Sequence, residues 1–191
     1  MRAGTPSPSV SPPAAAAAAL TLLLAFAAAT GLPAQAAPPD LTDPEVAHVA
    51  VTANSIDVEL ARLAQTRARS GAVRQFAATM ITDHSAVNSQ AGALASRLGI
   101  KPSDNAVSQS LLTGAAEARG TLEQLRGAAF DRAYLDREVG YHQAVLDALD
   151  NLLIPTTSNG DLRKLLQEVR PAIAAHLEHA RELRTSLGSD K

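Results

Sequence analysis

The chain has 191 residues, 17 Lys and Arg against 19 Asp and Glu, and no cysteine. This length fits one domain with a real core, and the missing thiol excludes disulfides, thiolate metal sites, cysteine nucleophiles and a lipid-modified cysteine. A formal net charge of −2 without a basic cluster argues against nucleic acid as a partner.

Ala14 to Ala29 is a continuous alanine- and leucine-rich run, and Ala34-Gln35-Ala36 then offers small residues where a signal peptidase reads. The pattern predicts a signal peptide over 1–36, cleaved before Ala37, and an exported protein that is periplasmic, secreted or peripheral to the outer membrane. An uncleaved anchor is the alternative, although the run is marginal against the ~20 strongly apolar residues of a membrane span. Residues 37–44 form a Pro-rich tether, 45–187 the domain and 188–191 a tail.

Asp43 is the expected N-cap of the first helix, with Pro44 at its first helical position. Its stripe is Val46, Val49, Ala53, Ile56, Leu60 and Leu63, and Ser70-Gly71 ends it. The second long helix runs from about 72 to 98, with Gly99 as its C′ residue. A turn at Pro102-Ser103-Asp104 caps a weaker, short helix through Leu111, Ala118 and Leu125. The third long helix spans about 128–153, a loop covers 154–160, and the fourth long helix spans about 161–187. No segment alternates with period two, so no sheet is expected. Four long amphipathic helices, with a short one in the only long connection, predict an all-α, ferritin-like four-helix bundle with a crossover. Pro171 falls deep inside the fourth long helix, either as a tolerated bend or as a kink that aims His176.

Each of the last three long helices carries one histidine in the middle of its apolar seam. They are His84 between Met80 and Val87, His142 between Val139 and Leu146, and His176 between Ile173 and Ala180. A buried imidazole costs free energy unless both ring nitrogens find partners. Three at similar depth therefore point to one another or to a shared ligand. Asp57 and Glu59 flank the first stripe; Asp57 lies 13 residues before Ser70 and His84 14 after it, so the two lie at nearly the same height in an antiparallel hairpin. Glu138 precedes His142 by four residues on the same face.

Asp57, Glu59, His84, Glu138, His142 and His176 are thus the candidate metal ligands. Glu59 as a solvated flank is the plainer reading of that residue. Asp83 points about 100° away from His84 and serves the surface or another helix. His48 reads as surface, and His179 as intermediate. The set suits a single Zn, Cu, Ni or Fe ion. A di-iron carboxylate centre is not supported, because it needs two Glu-x-x-His pairs on facing helices and none of His84, His142 and His176 follows a Glu by three residues. No nucleophile elbow, phosphate loop or Ser-His-Asp order is present, so no reaction is assigned.

Val73-x-x-Phe76-Ala77-x-x-Met80-x-x-Asp83-His84, Phe130-Asp131-x-x-Tyr134-Leu135, His142, Pro171 and His176-Leu177 together resemble a bacterial family. It is a ferritin-like domain of unknown function, common in secreted proteins labelled "predicted outer membrane protein". The resemblance covers roughly 45–187 and implies an exported helical bundle with no settled activity. A membrane barrel needs many alternating strands, and none is predicted. Two functions stand side by side. One is an exported protein that holds a transition metal in the histidine cluster. The other is a metal-free envelope protein, structural, interacting or stress-related, in which the histidines form a buried hydrogen-bond network.

Overall fold

A computed structural model of the chain describes residues 40–189. The expected signal peptide, its cleavage site and residues 37–39 of the tether lie outside the described residues. The described part is entirely helical: α1 Asp43–Arg67, α2 Gly71–Leu98, α3 Ala106–Gln124, α4 Gly127–Ala148, a π turn Leu149–Leu153, α5 Ile154–Thr156 and α6 Gly160–Ser189.

Helix α1 begins before the sequence suggested. Thr42 is its N-cap, and the Glu45 carboxylate accepts from the Thr42 N–H at 2.9 Å and its hydroxyl at 2.7 Å. Asp43 is drawn elsewhere, accepting from the N–H groups of Ser158 and Asn159 at 2.8 and 3.0 Å. It thereby stitches the start of α1 to the turn before α6. Asn159 in turn accepts from the N–H groups of Asp161 and Leu162 and opens that helix. Gly99 closes α2 in the left-handed conformation, φ 67°, where a side chain would be strained.

Two other expectations need correction. The crossover helix α3 is 19 residues long, and its cap is Asn105, not Asp104. Asp104 accepts instead from the Ser108 hydroxyl at 2.6 Å. The third long helix continues from α4 to Thr156, through the π turn and past Pro155, so the loop shrinks to 157–159. Helix α6 runs unbroken across Pro171, whose ring faces solvent. The Gln167 carbonyl, which loses its helical N–H partner there, also lies on an exposed residue.

Helix α1 packs along α2, and α4 along α6; α2 meets α6, α1 meets α4, and α3 lies over α1 and α4. The core has two apolar layers. One gathers Leu60, Phe76, Met80, Phe130, Tyr134 and Ala180. The other gathers Val46, Val49, Leu149, Leu153, Leu166 and Ile173. On α2 and α4 buried polar residues separate the two layers, His84 on α2 and Glu138 and His142 on α4.

Candidate metal centre

Asp57 comes from α1, His84 from α2, Glu138 and His142 from α4, and His176 from α6. All five are buried, Asp57 and Glu138 completely. The three imidazole centroids form a triangle with sides of 5.6, 5.2 and 5.5 Å. The sequence put Asp57 beside its stripe, at the edge of the core. It lies inside because α2, α4 and α3 cover α1 over a broad arc.

The partners of each ring fix where its proton sits. Asn54 donates from Nδ2 to the Ala50 carbonyl at 2.8 Å, which turns its Oδ1 toward His84 Nδ1, 2.6 Å away. A neutral His84 therefore carries its proton on Nδ1 and presents a lone pair at Nε2. That Nε2 is 2.9 Å from Asp57 Oδ2. His142 repeats the arrangement. Its Nδ1 donates to the Glu138 carbonyl at 3.0 Å, and its Nε2 lies 3.3 Å from the same Asp57 Oδ2. His176 is inverted: Nε2 donates to Asp83 Oδ2 at 2.9 Å, leaving the lone pair on Nδ1.

With neutral rings, the Nε2 lone pairs of His84 and His142 face the Asp57 carboxylate. Among the described residues, Asp57 Oδ2, His84 Nε2, His142 Nε2, His176 Nδ1 and Glu138 Oε2 are buried with no hydrogen-bond partner. Each such atom costs about 1–3 kcal/mol when left unanswered. One nitrogen from each of His84, His142 and His176 lies within 4.8 Å of the other two, and Asp57, Glu138 and His142 form a second such group. Hydrogen-bonded outer partners that leave one ring nitrogen free are the usual surroundings of metal-ligating histidines.

Arg137 holds the carboxylates in place. Its Nη1 donates to Asp57 Oδ1 at 3.0 Å and to Glu138 Oε1 at 2.7 Å, and its guanidinium lies 3.8 Å above the Tyr141 ring. The Tyr141 hydroxyl donates to the Ala53 carbonyl at 2.9 Å. Burial alone would raise the Asp57 carboxyl, but the His84 contact and the Arg137 charge outweigh it and keep it well below the usual range. Glu138 moves the other way. Burial, and then the Asp57 charge, push it up to about 8 despite Arg137. Burial lowers His142 to about 4 against the opposing pull of Asp57. Burial also lowers His176, with Asp83 pulling it back. The imidazole of His142 is therefore neutral at pH 7, as metal binding needs.

One expected ligand is elsewhere. Glu59 is exposed and pairs with Arg119 of α3, because a step of two residues turns it to the far side of α1 from Asp57. Asp83, exposed at its carboxylate, serves α6 across the α2–α6 contact. His179 packs edge-on against Phe76 at 5.2 Å, and His48 lies 3.8 Å from Asp104. Asn54, Arg137 and Tyr141 were not foreseen. Asn54 stands three residues before Asp57, so the shared face was a readable signal. Arg137 gave none, since an arginine beside an apolar seam ordinarily lies at the surface.

The sequence pattern of a family described as a domain of unknown function, DUF4142, matches residues 28–183. The chain belongs to the DUF4142 family. No curated protein matches this DUF4142 chain. Its structure is similar to a solved structure described as "CopM in the Cu(II)-bound form", at 13% sequence identity and a TM-score of 0.60. The match covers 78% of the DUF4142 chain and 99% of the other. At that identity the likeness is one of fold. Among the described residues, no helix of the DUF4142 protein is long and apolar enough to cross a membrane.

Proposed function

We propose that this protein holds one divalent transition-metal ion through His84, His142 and His176, with the Asp57 and Glu138 carboxylates beside them, and that copper(II) is preferred. The observation that carries the reading is the convergence of three buried ring nitrogens beside the Asp57 and Glu138 carboxyl groups, with the ring tautomers set by Asn54, Glu138 and Asp83. One cation can be shared by all three ring lone pairs at once, whereas a single proton cannot. Imidazole and carboxylate donors suit Cu(II), Zn(II), Ni(II) and Fe(II), and Cu(II) binds most tightly of these to a given N/O site. A copper-bound structure with a similar fold supports the choice. The proposed architecture is a ferritin-like bundle of α1, α2, α4 and α6, with α3 as the crossover. The proposed setting is the cell envelope or beyond, after cleavage before Ala37; mass spectrometry of the exported protein should find that N-terminus.

Arg137 favours a second reading, because it already offsets the charge of Asp57 and Glu138. A metal-free envelope protein with a buried hydrogen-bond network needs that compensation, yet it gives the three ring nitrogens no common partner. Metal analysis of protein prepared without a histidine tag separates the two. The metal reading expects about one ion per chain, a copper-dependent rise in Tm, and loss of both in His84→Ala, His142→Ala and His176→Ala but not in His48→Ala. Metal-free protein whose Tm ignores Cu, Zn, Ni and Fe would overturn it.

A further inference from the structure

An apolar cavity of about 80 Å³ runs from the histidine layer toward the far end of the helices. That is several times the ~10–15 Å³ that one water needs. Asn54, Asp57, His84 and His142 form its inner end. Beyond them the wall is aliphatic, with Ala50, Val87, Ala91, Val145, Leu166 and Val169 among its residues. A site with so little polar wall favours an apolar guest over water.

Two irregularities of the backbone border this space. The π turn contributes Leu149 and Leu153, and Pro171 sits between the wall residues Val169 and Ile173. Both interrupt regular helical hydrogen bonding where close packing would otherwise be expected to fill the gap. The cavity is also long. Its wall on α2 extends from His84 to Ala95, about 16 Å at the α-helical rise per residue. That is close to one leaflet of a bilayer's ~30 Å hydrocarbon core. The rim carries the exposed residues Gly92 and Pro102. Lys101, next to Pro102, is exposed and has no ion-pair partner among the described residues.

We propose that this cavity binds one free fatty acid, its unbranched alkyl chain inserted toward the histidine layer and its carboxylate left at the rim near Lys101. The proposal does not rest on the metal reading, since the chain is recognised by the aliphatic wall alone.

The test uses metal-free protein with sodium dodecanoate below its micelle concentration, read by native mass spectrometry and thermal unfolding. One molecule per chain and a saturable rise in Tm are expected, with no effect from butyrate. Filling the cavity with Ala91→Leu from α2 should weaken dodecanoate binding about tenfold or more without loss of helical signal. Ala50→Leu from α1 should do the same, so the result survives misfolding of either variant. The copper-dependent rise in Tm should persist in both, which keeps failure here distinct from failure of the metal site. No binding of dodecanoate, binding that both filled variants retain, or binding that appears only with metal would overturn the proposal.

Discussion

Asp57→Asn tests the acceptor cluster most directly, because its two consequences have opposite signs. In the metal-free protein the change replaces a charged acceptor with a donor. With the remaining oxygen still accepting from Arg137, the new amide nitrogen takes the place of Oδ2, 2.9 Å from His84 Nε2 and 3.3 Å from His142 Nε2. Two N–H···N hydrogen bonds become available, each contributing about 0.5–1.5 kcal/mol. Against this, breaking a buried ion pair costs about 3–5 kcal/mol when one partner is left alone. Arg137 is not left alone, because Glu138 keeps its 2.7 Å contact and ionises more readily once the Asp57 charge is gone. The gains and losses then nearly offset, and metal-free stability should change by no more than about 1 kcal/mol, or ~2–4 °C in Tm for a domain of this size. The metal response should collapse. At a hundredfold excess over Kd the wild-type protein gains about 2.7 kcal/mol, or ~5–10 °C, and each tenfold loss of affinity removes about 1.4 kcal/mol of that. Differential scanning calorimetry with and without Cu(II) measures both. A variant destabilised by more than about 3 kcal/mol without metal, yet with its copper shift intact, would show that Asp57 anchors Arg137 and holds no metal.

Three further outcomes are expected. Asp83→Ala should weaken metal binding about 10–100-fold while leaving the three ring nitrogens in place, because Asp83 sets the tautomer of His176; titration calorimetry reads the change. Metal-free stability, followed by chemical denaturation, should be greatest near pH 6.5 and fall on either side. His142, lowered to about 4, and His176, also lowered, cost stability as the pH drops below their ordinary 6.5, whereas Glu138, raised to about 8, costs it as the pH climbs above its ordinary 4.5. Glu138 thus offsets only part of the histidine slope in between and alone sets the fall above it. The depressed Asp57 steepens the loss at the acid end. Leu166→Ala, which empties a buried position of the second apolar layer, should cost about 2–5 kcal/mol in the same assay.

The helices and the convergence of the histidines were legible because both depend on periodicity. A residue in an apolar seam must point inward, and equal distances from a hairpin turn set equal heights, so His84 and Asp57 could be paired without coordinates. Glu59 shows the limit of reading charge without angle. It lies only two residues from Asp57, and that step carries it to the opposite side of the helix and into an ion pair with Arg119. Arg137 and Asn54 show another limit. Their roles come from contacts across helices and from the direction of an amide, and no spacing within one helix encodes either. The caps of α1 and α3 were misplaced for a related reason: several short polar residues compete at a helix start, and Asp43 was taken by a turn 115 residues away.

The centre is divided between two halves of the chain. Asp57 and His84 belong to the α1–α2 hairpin, whereas Glu138, His142 and His176 belong to α4 and α6. Each pair of helices is close in sequence and can form from local contacts, but the polar layer exists only once the two pairs have docked. An ion held there would act on that last step of folding, as a rivet between two preformed halves. Its binding free energy would then slow their separation more than it hastens the formation of either.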